Sequence, residues 1–182
     1  QNQDTNFIGS SSQTASGPFQ FAGLNVNNTG TPGSNVVDFV PDGFSVQVTG
    51  FTNITNGSLS TKDSFLFSNN VSINVGANLT QKAGANNIFT GNLSNNGSFT
   101  ALPNATSQFS GSNNTSITGT TPFTGSNQFQ NLVISKSNNI QTVTTTLEVT
   151  ADTLSVNNGE FIPATNSTFG DTTINSTSAT NF

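Results

Sequence analysis

The chain has 182 residues and a formal net charge of −5, and only 6% of its residues are charged. Three lysines and no arginine are too few to build a basic surface, so we exclude nucleic acid and anionic membranes as partners. The lack of cysteine excludes disulfides, thiolate metal sites and a cysteine nucleophile, and no apolar run approaches the length of a membrane span.

The composition favours short β-strands over helix and over disorder. Hydrophobic residues make up 31% of the chain and include sixteen Phe but no Trp, Tyr or Met. The residues that favour helix are scarce, whereas Asn, Ser, Thr and Gly are common. Because Phe, Val, Ile and Thr recur at short intervals, we expect an ordered all-β protein.

Seven segments are predicted as strands, and in most of them apolar residues alternate with Ser, Thr, Asn or Gln, which predicts one buried and one solvated face. In chain order, these predicted strands are residues 21–26, 44–48, 65–67, 71–75, 131–135, 143–149 and 154–156. Three Asn-Gly pairs, at residues 56–57, 96–97 and 158–159, predict tight corners between strands, because both residue types tolerate a positive φ.

A long internal repeat is visible within one predicted domain, residues 1–182. Residues 6–61 align with residues 108–162, so that Phe7 corresponds to Phe109 and Leu24 to Leu132. The second copy carries extra residues around Pro122 and Phe123, where we predict a protruding turn. Repeats of short strands are typical of solenoid proteins.

We therefore predict a right-handed parallel β-helix (a β-solenoid) with coils of roughly twenty residues. The alternative is one or two antiparallel β-sandwiches. Closely grouped strands, asparagines that stack at corners, and the preference for Phe over Tyr or Trp favour the solenoid. A narrow apolar interior accommodates phenyl rings but offers no partner to an indole N–H or a phenol O–H.

One stretch, residues 91–161, carries five elements in a fixed order: Asn-Asn-Gly-x-Phe, Phe-x-Gly, Thr-Gly, Phe-x-Asn-Leu-x-Ile and Val-x-x-x-Leu-x-Val. They occupy residues 95–99, 109–111, 118–119, 129–134 and 143–149. This order resembles the repeats of large secreted surface proteins of Bacteroidota. The resemblance implies a β-solenoid stalk of an adhesin or gliding-type filament that is exported across the outer membrane.

The sequence offers little for catalysis, and we predict neither an enzyme nor any catalytic residue. Without His, Cys or Tyr, general base chemistry falls to carboxylates or lysine. Asp38 and Asp42 form the most suggestive close acidic pair. They fit either a solvated turn at Asp42-Gly43 or a Ca²⁺ site, although two carboxylates make an incomplete oxygen cage. We expect no other cofactor.

Two kinds of sequon predict glycan attachment. Asn-x-Ser/Thr sequons predict N-linked sites at Asn53, Asn70, Asn92 and Asn113, although this composition produces many such sequons by chance. The resemblance implies O-linked sites at Thr153 and Thr172, because each follows an aspartate as in the Bacteroidota pattern.

Three functions remain open from the sequence. The first is an extracellular or cell-surface structural and adhesive rod that associates with itself or with other surface proteins. The second is a pilus-like subunit that donates residues 1–12 to a neighbour, and the third is a β-helix that binds or cleaves polysaccharide. The chain begins at Gln1 without an initiator Met, which fits removal of a signal peptide or a trimmed boundary.

Overall fold

The computed structural model of the chain describes residues 3–31, 33–174 and 179–180. Within them the chain winds through about eight turns of a parallel β-solenoid, and every strand pairing is parallel. The prediction of a parallel solenoid is confirmed, and the antiparallel sandwich is wrong. Among these residues, no helix has the length and apolar character needed to cross a membrane.

The strands form three faces, of which faces I and III recur along the described solenoid and face II occurs in the first five coils. Face I contains β1 (Thr5–Gly9), β4 (Leu24–Asn28), the first half of β7 (Thr52–Thr61), β9 (Val71–Ile73), β12 (Leu93–Asn95), β15 (Thr115–Gly119), β17 (Thr142–Thr145), β19 (Glu160–Ile162) and β21 (Ala179–Thr180). Face II contains β2 (Gln13–Ala15), β5 (Val36–Phe39), the second half of β7, β10 (Ala77–Gln81) and β13 (Ser98–Ala101). Face III contains β3 (Phe19–Phe21), β6 (Ser45–Val48), β8 (Ser64–Phe67), β11 (Asn86–Phe89), β14 (Thr106–Gly111), β16 (Phe129–Lys136), β18 (Thr150–Asn158) and β20 (Thr168–Ile174).

The core is a column of apolar side chains along the solenoid axis. Phe67, Phe89 and Phe109 are register partners on three successive strands of face III, and all three are fully buried. Their rings stack at centroid separations of 5.1 Å with interplanar angles of 13° and 19°. Parallel in-register pairing therefore places like residues on top of one another, which is why phenyl rings suit this interior.

Face II ends after β13, and the extra residues around Pro122 complete the core there. Phe123 is fully buried and stacks on Phe129 at 4.7 Å, and a short 3₁₀ helix (Gly125–Asn127) follows it. The side chain of Asn127 accepts a hydrogen bond from the backbone N–H of Phe99 in β13 at 2.9 Å. The predicted turn is exposed at Pro122, Gly125 and Ser126, but Phe123 is directed into the core and the segment packs against β13.

All three Asn-Gly pairs lie at corners, but the expected positive φ occurs at Gly57 and Gly159 and not at Gly97. Gly57 has a φ of 78° where β7 bends from face I to face II, and a Cβ there would lie 2.4 Å from the carbonyl oxygen of Asn35. The predicted stacking of asparagines at a corner is confirmed beside Gly57, where Asn56 donates to Asn27 of the previous coil at 2.6 Å. A second ladder of asparagines runs along face I. Asn25 donates to Asn6 at 3.0 Å, and Asn53 donates to Asn25 at 3.1 Å. Close turns and amide ladders thus hold successive coils together.

The long sequence repeat does not correspond to equivalent positions in the coil. Phe7 and Leu24 lie on face I, whereas their aligned partners Phe109 and Leu132 lie on face III. Two predicted strands also cross corners: residues 21–26 are divided between β3 and β4, and residues 143–149 bend after β17. The structural repeat is the single coil.

Candidate functional site

The two acidic residues considered for Ca²⁺ lie in the second coil, near the corner between faces II and III. Asp38 belongs to β5, and Asp42 lies in the turn that leads to β6. The carboxylate of Asp42 accepts the backbone N–H of Phe44 at 3.1 Å, which closes the turn locally.

Asp42 joins three successive coils. Its carboxylate forms an ion pair with the fully buried Lys62 of the next coil, and it accepts hydrogen bonds from the Ser16 hydroxyl at 2.9 Å and from the Gly17 N–H of the previous coil. The Lys62 ammonium holds the pKa of the Asp42 carboxyl well below its usual range, with smaller contributions from these N–H and O–H donors and against an opposing effect of burial.

Further charged residues extend this cluster, which we call the charged corner (Asp38, Asp42, Lys62, Asp63 and Lys82). Lys82 contacts Asp38 at 2.6 Å and donates to the Phe39 carbonyl at 2.8 Å. Asp63 accepts the backbone N–H groups of Asp42 and Gly43 at 2.9 and 2.8 Å. The cluster therefore links the first four coils.

The charged corner contains two separate ion pairs that connect different coils, Lys62 with Asp42 and Lys82 with Asp38. Asp38 and Asp42 face different lysines, and the described residues contain no group of three or more His, Cys, Asp or Glu side chains that could hold a metal ion. The calcium interpretation therefore gains no support from the geometry. The sequence analysis missed the lysines, although Lys62 follows Asp42 by twenty residues, a spacing of about one coil.

The predicted N-linked sites differ in accessibility. Asn53 is half-buried, and its Nδ2 group is occupied by the hydrogen bond to Asn25. Asn70 and Asn92 are half-buried at the corner between faces III and I, whereas Asn113 is exposed in a bend. A glycan attaches through Nδ2, so the geometry suits Asn113 best and Asn53 least.

The two threonines implied as O-linked sites both lie on face III. Thr153 is half-buried, and its hydroxyl donates to Asn131 at 2.9 Å. Thr172 is exposed on β20, and its hydroxyl makes only a long contact of 3.4 Å with the Gly170 carbonyl. Of the two hydroxyls, that of Thr172 is the more accessible.

Lys136 is a buried cation that the sequence analysis did not single out. Its side chain lies inside the corner that follows β16 and donates to the carbonyl oxygen of Ser110 at 2.5 Å. Among the described residues, no carboxylate lies within ion-pair distance of it. Burial lowers the pKa of Lys136 to about 8, because removal from water disfavours the charged form.

Asparagines line a groove at the corner between faces III and I. The groove has a volume of about 280 Å³, and its walls contain Asn69, Asn70, Asn92, Asn113 and Asn114. Two hydroxyl side chains and Gly91 complete its lining. We call this feature the amide groove. It contains three of the predicted N-linked sites, Asn70, Asn92 and Asn113.

The first coil presents an open edge. Strands β1, β2 and β3 each pair with only one other strand among the described residues. Phe7, Ala15 and Phe19 pack against the core from this coil and are only partly buried. Exposed backbone and half-covered apolar side chains together make this edge able to accept a further strand.

No family model, curated protein or solved structure matches this chain.

Proposed function

We propose that the protein is an extracellular structural or adhesive surface protein, a rigid solenoid rod that associates end to end with further copies. Three features support this proposal. Parallel strands stack along one axis, charged side chains are few, and the outer surface consists largely of hydroxyl and amide groups. Such a rod offers proteases little flexible backbone.

The observation that carries the proposal is the continuity of two faces along the whole solenoid. Face I runs from β1 to β21, and face III runs from β3 to β20. The two ends therefore present the same two faces in parallel orientation. A second copy stacked head to tail would continue both sheets and cover Phe7 and Phe19 of the first coil.

Backbone hydrogen bonds identify the groups that would pair with the second copy. Thr5 donates its N–H to Gly23 at 2.9 Å, and Gly9 accepts from the N–H of Thr29 at 2.7 Å. Because neighbouring residues in a strand direct their N–H and C=O groups to opposite edges, Asn6 and Ile8 direct theirs to the open edge. The carbonyl oxygen of Ile8 already accepts a hydrogen bond from the Gln13 side chain at 3.2 Å, which a second copy would have to displace.

The test is the substitution Ile8→Pro, with Ile8→Thr as its matched control. Ile8 is 64% exposed, so neither change disturbs the core. Proline removes an edge N–H that makes no hydrogen bond to any residue in the described part of the chain, whereas threonine keeps it. We expect the unmodified protein and Ile8→Thr to form rods in electron micrographs and concentration-dependent species in light scattering, and Ile8→Pro to remain monomeric.

Inert monomers of the unmodified protein at all concentrations would contradict the proposal, as would equal assembly of both variants. The pilus-like alternative requires the first segment to pair in trans. In the structure, β1 instead pairs with β4 of its own chain, while Gln1 and Asn2 lie outside the described residues. The cis arrangement favours the rod.

A further inference from the structure

We propose that the amide groove is a binding site for a neutral glycan, an uncharged chain rich in hydroxyl and ring oxygens. The site lies on the side of the solenoid, so the inference goes beyond end-to-end assembly and does not depend on it.

The shape of the groove comes from unequal connections in successive coils. Residues 68–70 join β8 to β9, and residues 90–92 make the same step between β11 and β12. Phe109 and Ile117 are the register partners of Phe89 and Leu93, so residues 110–116 make this step in the next coil and project beyond the shorter turns. The longer connection forms one wall.

Gly91 allows two successive turns to approach each other closely. A Cβ at this position would lie 2.5 Å from the carbonyl carbon of Asn69, so the two turns meet with backbone against backbone. The asparagines of the two turns are therefore close together, at the strand spacing of about 4.8 Å from coil to coil.

Hydrogen bonds fix the orientation of the amide groups. The Oδ1 atom of Asn69 accepts the N–H of Asn70 at 2.8 Å, and that of Asn70 accepts the N–H of Asn92 at 2.9 Å. The Oδ1 atom of Asn92 accepts the N–H of Ser116 at 2.8 Å, in the adjoining coil. Since the Oδ1 atom of each amide faces a backbone N–H, the Nδ2 atom of the same side chain points away from the backbone.

Asn114 repeats the pattern, because its Oδ1 atom accepts the N–H of Thr142 at 2.9 Å. Among the residues that the structure describes, the Nδ2 groups of Asn69, Asn70, Asn92 and Asn114 have no acceptor. The groove therefore presents an ordered set of N–H donors that are held in place by the backbone.

The charge of the surroundings selects the class of ligand. The residues that line the groove are uncharged and include no aromatic ring, and the protein as a whole carries −5. The donors disfavour cations, and the net charge disfavours polyanions. Hydroxyl and ring oxygens of a neutral sugar accept hydrogen bonds without a charge, and preordered donors reduce the entropic cost of binding them.

The experiment uses the full chain, produced in a host without N-glycosylation and checked by intact mass. The probe is an array of neutral hexose and N-acetylhexosamine oligosaccharides, acidic oligosaccharides and an uncharged Gly/Ser peptide. We expect retention of neutral oligosaccharides only, and the dissociation constant of one that is retained is then measured by calorimetry.

The decisive variant is Asn70→Asp with Asn92→Asp, which keeps both acceptor oxygens and removes two donors at constant shape. We expect binding to weaken at least about tenfold, given the contribution of a typical hydrogen bond. The matched control is Asn138→Asp, because Asn138 lies outside the groove and uses its oxygen in the same way, accepting the N–H of Ile140 at 3.1 Å. If the double variant fails to fold, Asn69→Asp alone takes its place, because it also removes a donor from the groove and should weaken binding.

Retention of acidic oligosaccharides or of the peptide instead of neutral sugars would overturn the inference. So would an array with no retained sugar, or equal binding by the double variant and the control. The Ile8→Pro experiment measures assembly at the open edge and does not involve the groove. Failure of the glycan site and failure of rod assembly are therefore distinguishable.

Discussion

Phe89→Ala removes the middle ring of the core column and tests what holds the coils together. Phe89 is fully buried in β11, between the rings of Phe67 and Phe109 at 5.1 Å on each side. Because the three residues are register partners, no other side chain can fill the space without a shift of the whole coil. The cavity should therefore persist.

The expected magnitude follows from that geometry. Replacement of a buried Phe by Ala costs about 3–5 kcal/mol of unfolding free energy, a large part of the roughly 5–15 kcal/mol that stabilises a domain. Phe89→Leu retains most of the volume and loses mainly the ring stacking, so we expect a smaller loss. The control Phe51→Ala removes a ring that is 56% exposed and should change the free energy by no more than about 0.5 kcal/mol.

Urea unfolding followed by far-ultraviolet circular dichroism measures these differences, since the chain has no Trp or Tyr for fluorescence. Phe89→Ala should lower the midpoint far more than Phe89→Leu, and Phe51→Ala should match the unmodified protein. Equal midpoints for Phe89→Ala and Phe51→Ala would refute the view that stacked rings support the solenoid.

Three further changes probe the corners. The pKa of Asp42 is depressed in the folded state. Its contribution to the free energy of unfolding is therefore present above the ordinary aspartate pKa of about 3.9 and is lost as the pH falls below that value. Asp42→Asn should lower the urea midpoint at neutral pH and weaken this loss of stability in acid. Lys136 has a pKa of about 8 in the folded protein and about 10.4 in the unfolded chain, so the free energy of unfolding should increase as the pH rises between these two values. Lys136→Met should remove this increase and stabilise the protein at pH 7. Gly119→Ala should destabilise more than Gly17→Ala: the φ angles are similar, 128° and 121°, but only at Gly119 would a Cβ meet backbone, 2.1 Å from the Asn95 oxygen. Thermal melts should show this order, and equal losses would mean that strain at positive φ, about 1–2 kcal/mol, explains both.

The sequence was sufficient for the fold class, because composition and alternation act on every strand in the same way. Scarce helix formers, recurrent Phe and Val, and Asn-Gly corners all favour short stacked strands, and the structure contains them. The face on which a strand lies was not predictable, since all three faces share one alternating pattern. Phe7 and Phe109 therefore align in sequence but lie on different faces.

The side-chain sites were harder to predict for a related reason. Asp38 and Asp42 are close in sequence, but their partners, Lys82 and Lys62, lie two and one coils further along the chain. Contacts of this kind depend on the register between coils, and the register depends on connection lengths. The same difficulty applies to Phe123, whose inward position follows from the end of face II.

Cysteine cross-linking tests the parallel register most directly, because the natural chain contains no cysteine. Ser72 and Ser94 are partners on adjacent strands of face I, and Thr118 is the partner of Ser94 one coil further on. Strands about 4.8 Å apart lie within disulfide range, whereas strands two coils apart do not. The double variant Ser72→Cys with Ser94→Cys should therefore form an intramolecular disulfide under mild oxidation, and Ser72→Cys with Thr118→Cys should not. A disulfide in the second variant but not in the first would contradict the solenoid.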